Sequence, residues 1–93
     1  MGSKQQLNHY VLFIYSFKSL SARQKVKVIR GLYGYKNSKQ GKLYEHKGLI
    51  QTNSAKKLSQ NVILVPIENS FVFTNFFSLN KIIFEVKEAW LKE

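Results

Sequence analysis

Cysteine and aspartate are missing from this 93-residue chain, and proline, methionine and tryptophan occur once each. The missing cysteine excludes a disulfide framework, a thiolate zinc site and a cysteine nucleophile together, and it leaves no redox sign of compartment. Without aspartate, a two-metal nuclease site would rest on five glutamates, four of which fall in the last 26 residues. No phosphate-cradling loop and no dinucleotide-binding glycine motif occurs. No cofactor and no metal is therefore implied. No apolar run approaches the roughly 18 to 20 residues of a membrane span, and the N-terminus has no apolar stretch backed by a small-residue cleavage site, so a soluble cytoplasmic protein is expected. Repeats and low-complexity tracts are absent as well.

What remains is short, apolar enough to fold and strongly basic. Hydrophobic residues make up 44% and aromatics 14%, enough for one small core. Residues 1–7 read as a flexible N-terminus and residues 8–93 as a single basic α+β domain. The net charge of +10 is uneven: residues 1–60 hold 12 cations and one acid, whereas residues 61–93 hold 3 cations and 4 acids. Between Lys18 and Lys42 there are eight cations and no acid, so neighbours in sequence cannot neutralise them and a polyanionic partner would. Thirteen of the 15 cations are lysine. Lysine is a point charge suited to phosphate, while bidentate reading of guanine edges prefers arginine, so backbone or shape recognition is expected over sequence readout.

Periodicity places these charges on elements. Asn8 to Phe17 is β-branched and aromatic on both alternating faces, which marks a central strand. Ser21 to Gln24 fits a capping box opening a helix to Tyr33, with Gly34 as its stop. On that helix Ala22, Val26, Val28, Ile29, Leu32 and Tyr33 form one apolar arc, with Lys25 snorkelling inside it, and Arg23, Lys27 and Arg30 form a cationic ridge. Tyr35 to Lys42 reads as an exposed basic loop, Leu43 to Ile50 as a second strand broken at Gly48, and Gln51 to Gln60 as a polar connection. Asn61 to Ile67 is a second central strand. Glu68 to Ser70 offers N-caps for a helix to Leu79 with Phe73, Phe76 and Phe77 inward, although Phe71 to Thr74 also suits a hairpin strand. A last strand runs from Lys81 to about Lys87, followed by a short helical or frayed end. The order is β-α-β-β-α-β, a ferredoxin-like sandwich with the first and third strands central and both helices on one face. The competing order is β-α-β-β-β with a final strand or helix, the outline of small basic ribonuclease toxins.

Several constellations bear on chemistry. Phe13, Tyr15 and Phe17 share a strand face; as an open sheet face they would stack on unpaired bases or join two copies in a homodimer, and as a covered face they would be core. No RNP1-like series accompanies them. Tyr33, Tyr35 and Tyr44 lie in or beside the basic stretch, Tyr33 in the apolar phase of the helix and Tyr35 in a polar segment. Gly31 to Gly34 matches a GxxG backbone clamp in form, but its place at a helix end favours a cap. Tyr44, Glu45, His46 and Lys47 could in principle cleave RNA without metal, yet strand alternation separates Tyr44 and His46 from Glu45 and Lys47. His9 has no ligand partner at metal spacing. The expectation is a non-catalytic nucleic-acid-binding domain, RNA ahead of DNA, contacting phosphate through Arg23, Lys27, Arg30, Lys36, Lys39 and Lys42, with Tyr35 and Tyr44 beside them. The alternatives are a small metal-independent ribonuclease centred on His46 and a homo-oligomeric protein-interaction domain.

Overall fold

A computed structural model describes residues 7–92. The flexible start expected over 1–7 lies outside the described residues except for Leu7, which opens the first strand. The elements are β1 (Leu7–Ser16), α1 (Ala22–Tyr33), β2 (Gly34–Lys39), β3 (Lys42–Lys47), α2 (Leu49–Thr52), β4 (Lys56–Ser59), β5 (Val62–Pro66), a 3-10 turn (Ile67–Asn69), α3 (Ser70–Leu79) and β6 (Ile83–Lys92). β4, β5, β1 and β6 form an antiparallel sheet in that order, and β2 pairs with β3 in a separate two-stranded sheet. Taken as strands one to four, β1, β4, β5 and β6 have the order of a ferredoxin-like split βαβ sandwich, with β1 and β5 in the middle as their apolar runs require. The β2–β3 hairpin and α2 are an insertion between α1 and the edge strand β4.

One face of the sheet is covered. Val11, Phe13 and Tyr15 from β1 and Ile63 and Val65 from β5 meet Val28 and Leu32 of α1 and Phe73 and Phe77 of α3 in a single buried cluster. Phe77 is its hub, with ring centroids 5.5 Å from Phe13, 5.0 Å from Tyr15 and 5.3 Å from Phe84. These are the offset and edge-to-face distances at which aromatic pairs add to simple area burial. Phe13 and Tyr15 therefore face the helices, not an open sheet face, and Phe17 packs against the same core. Their core role follows from two helices covering that side. The uncovered face carries Leu12, Ile14 and Val62, half-buried, and the buried Leu64.

Tyr15 and Tyr33 share a hydrogen bond through their hydroxyls, and the Lys57 ammonium sits 4.7 Å from the centre of the Tyr33 ring. Burial, reinforced by that hydrogen bond and by the Tyr33 charge, pushes the Tyr15 phenol well above the ordinary tyrosine pKa.

Local chemistry accounts for the helix ends. The Ser21 capping box is present in both directions: the Gln24 N–H donates to Ser21 Oγ at 3.2 Å, and the Ser21 N–H donates to Gln24 Oε1 at 3.0 Å. Gly34, at φ 84°, caps the other end by donating its N–H to the Arg30 carbonyl. A side chain at Gly34 would lie 2.4 Å from the His46 carbonyl oxygen, so the chain crosses itself there, backbone on backbone.

Four expectations are corrected. The strand expected over Leu43 to Ile50 is β3 of the hairpin and stops at Lys47, and the sheet's edge strand is Lys56–Ser59, inside the stretch read as a connection. That edge carries a single apolar residue, Leu58, so it is held by backbone pairing that leaves no hydropathy signal. The loop expected from Tyr35 to Lys42 is a strand and turn, with Gln40 and Gly41 at φ 53° and 78°, the mirror-image turn that suits hairpin twist. β6 continues as a strand to Lys92 instead of ending near Lys87, because β1 begins at Leu7 and pairs with it along its whole length. Finally, α1 buries Val28 and Leu32, while Ala22, Val26 and Ile29 of its expected apolar arc are exposed.

Candidate nucleic-acid interface

Val26 and Ala22 are exposed because α1 turns that side toward a groove, not toward the sheet. The groove encloses about 1140 Å³ between α1, the end of α3 and the base of the β2–β3 hairpin. Its floor is apolar: Ala22, Val26 and Gly31 from α1, and Phe76 and Leu79 from α3. Gly31 allows this closeness, since a Cβ there would meet the Phe76 ring at 3.1 Å. Of the three phenylalanines expected inward on α3, Phe73 and Phe77 are buried and Phe76 is shared between core and groove.

Cations rim that floor. Arg23, Lys27 and Arg30 stand along α1 at intervals of roughly one helical turn, and Lys47 faces them from the end of β3. Between them Tyr35 and His46, directly opposite in the hairpin, stack with centroids 4.3 Å apart and planes 13° from parallel. The Arg30 guanidinium lies 5.1 Å from the Tyr35 ring centre, within cation–π range. Among the described residues no carboxylate lines the groove. Four like charges and a planar ring pair over an apolar floor form an electropositive slot with a stacking surface.

The structure gathers Arg23, Lys27, Arg30 and Tyr35 of the expected contact residues into this slot. Lys39, Lys42 and Tyr44 share the hairpin face of Tyr35 and His46 but stand further out, Lys39 opposite Lys42 at the turn and Tyr44 opposite Asn37. Lys36 is on the other hairpin face, opposite Glu45. The separation of Tyr44 and His46 from Glu45 by strand alternation is present as expected. Lys47, at the strand end, reaches the same groove as His46 and was missed as a contact. A two-residue Gln40-Gly41 turn between two polar strands was the available signal for the hairpin, and recognising it would have set Tyr35 against His46; Lys47, opposite Gly34 on the other face by register, reaches the groove only because it ends the strand, which register does not reveal.

His9 lies elsewhere. It stacks on Trp90 with centroids 3.8 Å apart, and its Nε2 is 3.0 Å from Glu88 Oε1. Among the described residues no group of three His, Cys, Asp or Glu gathers around a common point, and no helix is long and apolar enough to cross a membrane. The chain matches no family model, and no curated protein or solved structure resembles it at a significant level.

Proposed function

We propose that this protein binds nucleic acid in the α1–hairpin groove, RNA ahead of DNA, by clamping phosphates and stacking a base. The observation that carries the reading is the convergence, over an apolar floor, of Arg23, Lys27, Arg30 and Lys47 with the Tyr35–His46 ring pair and, among the described residues, no carboxylate. Phosphate takes up the uncompensated charge, releasing counterions from the nucleic acid. An unpaired base extends the existing stack, which favours single-stranded segments, where bases can be splayed out. Lys39, Lys42 and Tyr44 continue the contact toward the hairpin tip, and the predominance of lysine makes binding tolerant of sequence. Lys36 contributes at longer range, from the far face.

Fluorescence anisotropy with labelled single-stranded RNA, duplex RNA and duplex DNA of equal length, each at two salt concentrations, tests the proposal. Tight binding to single-stranded RNA that weakens steeply with salt is the expected result; weak, equal or salt-insensitive binding to all three would overturn it. A second reading, metal-independent ribonuclease, rests on His46 standing among the groove cations. RNA cut in EDTA by the wild type but left intact by His46→Ala would select that reading.

A further inference from the structure

The two edges of the sheet are built differently. β4 is four residues long, carries Lys56 and Lys57 and is interrupted by a register shift between Lys57 and Ser59, all of which discourage a further strand. β6 is ten residues long and pairs with β1 in unbroken register from Ile83 opposite Ser16 to Lys92 opposite Leu7. Its outer side has no strand beside it among the described residues. Ile83, Val86 and Trp90 are 61%, 49% and 56% exposed on this strand, an unusual amount of apolar surface beside a row of unpaired backbone groups.

The charges on β6 say what fits there. An antiparallel copy related by a two-fold axis perpendicular to the sheet keeps each side chain facing the same side, so a residue can oppose only one of the same parity. Centring the axis on Glu85, Lys87 or Glu88 would set a charge against itself. Centring it on Val86 sets Glu85 against Lys87 of the other copy, twice by symmetry, and Ile83 against Ala89. Opposite charges directly across a ladder stabilise it and like charges destabilise it. Centres nearer either end shorten the ladder or leave Glu85 and Lys87 unmatched. Glu88 then falls across from Phe84 of the other copy, its carboxylate already held beside His9.

We infer that β6 is the docking strand for a second copy of this chain, paired antiparallel about Val86. The two four-stranded sheets become one continuous sheet, and the perpendicular axis puts both helix layers on the same side. Both grooves therefore lie on the helix side of a single double-length sheet. The inference rests on the edge alone and stands whether or not the groove takes nucleic acid.

Sedimentation velocity over a concentration series tests it on exposed residues. The wild type is expected to form a species of twice the 10.8 kDa chain mass. Glu85→Lys sets like charges across the ladder and should raise the dimer dissociation constant roughly tenfold or more, and the charge exchange Glu85→Lys with Lys87→Glu should restore it. Because the chain has no cysteine, Val86→Cys should cross-link to its own copy under mild oxidation while Ala89→Cys should not. A wild type that stays monomeric up to its solubility limit, a dimer indifferent to Glu85→Lys, an exchange that fails to restore it, or cross-linking at Ala89→Cys in place of Val86→Cys would each overturn the inference.

Discussion

The α1–hairpin groove and the β6 edge are both exposed and both partly apolar, yet their charge patterns differ in kind. Around the groove the charges have one sign: Arg23, Lys27, Arg30 and Lys47 line it, with no carboxylate among the described residues. Along β6 the signs alternate, with Glu85, Lys87 and Glu88 close together on one strand. A surface of one sign repels its own copy and attracts a polyanion, and a surface of alternating sign can match a second copy of itself. On the two proposed readings the apolar component serves both, as a floor under a stacked base in one and as buried contact between strands in the other. The two proposed partners would thus meet different elements, the groove on α1, α3 and the hairpin and the edge on β6, without competing for the same residues.

The largest effect should abolish the comparison itself. Phe77→Ala removes the ring that joins β1, α3 and β6, at a cost of about 3–5 kcal/mol, and both surfaces should be lost together in a denaturant titration. Next, replacing Arg23, Lys27 and Arg30 together with alanine should separate the two regions. RNA affinity is expected to fall roughly 100-fold, for three charged contacts at about 1 kcal/mol each, and the slope of log affinity against log salt should become shallower by about two. Sedimentation of that variant should match the wild type. Preserved RNA binding would show that the one-sign pattern has no polyanion to serve.

Tyr35→Ala sharpens the groove side alone. Loss of one stacking surface should cost about 1–2 kcal/mol toward single-stranded RNA, read by anisotropy, with the salt slope unchanged. If the slope falls with it, Tyr35 is holding Arg30 in place and not stacking on a base.

The smallest effect is one of pH. Because the fold keeps the Tyr15 phenol neutral, the unfolded chain ionises first as pH rises past the ordinary tyrosine value of about 10. Tyr15 therefore supports folding in full below that pH, and the support is lost as pH climbs above it. Thermal melts from pH 9 upward should show a decline in the wild type that is flatter in Tyr15→Phe. Equal slopes would mean that Tyr15 ionises as readily in the folded protein as in the unfolded chain.

Much of the frame was legible from local pattern. Ser21 and Gln24 announced the start of α1, the β-branched runs at Val11 and Val62 announced the central strands, and the phenylalanines of Ser70–Leu79 gave a helix once the flanking strands were placed. The hairpin pairing was missed because Gly34–Lys39 has Tyr35 as its one large apolar residue and carries no period for hydropathy to detect, whereas the strand expected from Leu43 exists as β3 but pairs with β2 and not with the main sheet. The edge strand Lys56–Ser59 was missed for the same reason. Within the site, the α1 ridge was readable because helical spacing alone aligns Arg23, Lys27 and Arg30, whereas Lys47 became visible only when β3 folded back on β2.

By itself, then, the amino-acid sequence determined an excess of positive charge in the first 60 residues, a capped basic helix and two strands apolar enough to be central. Each depends on residues near one another along the chain, where rotamers, caps and side-chain period decide. The tertiary structure decided which side of α1 is core and which is groove, that Tyr35 stacks on His46, that Phe13 and Tyr15 face helices, and that β6 is a long open edge. Those outcomes depend on segments far apart in sequence, such as Leu7 against Lys92, whose meeting is set by the shared burial of Phe13, Phe77 and Phe84 and by nothing either segment carries alone.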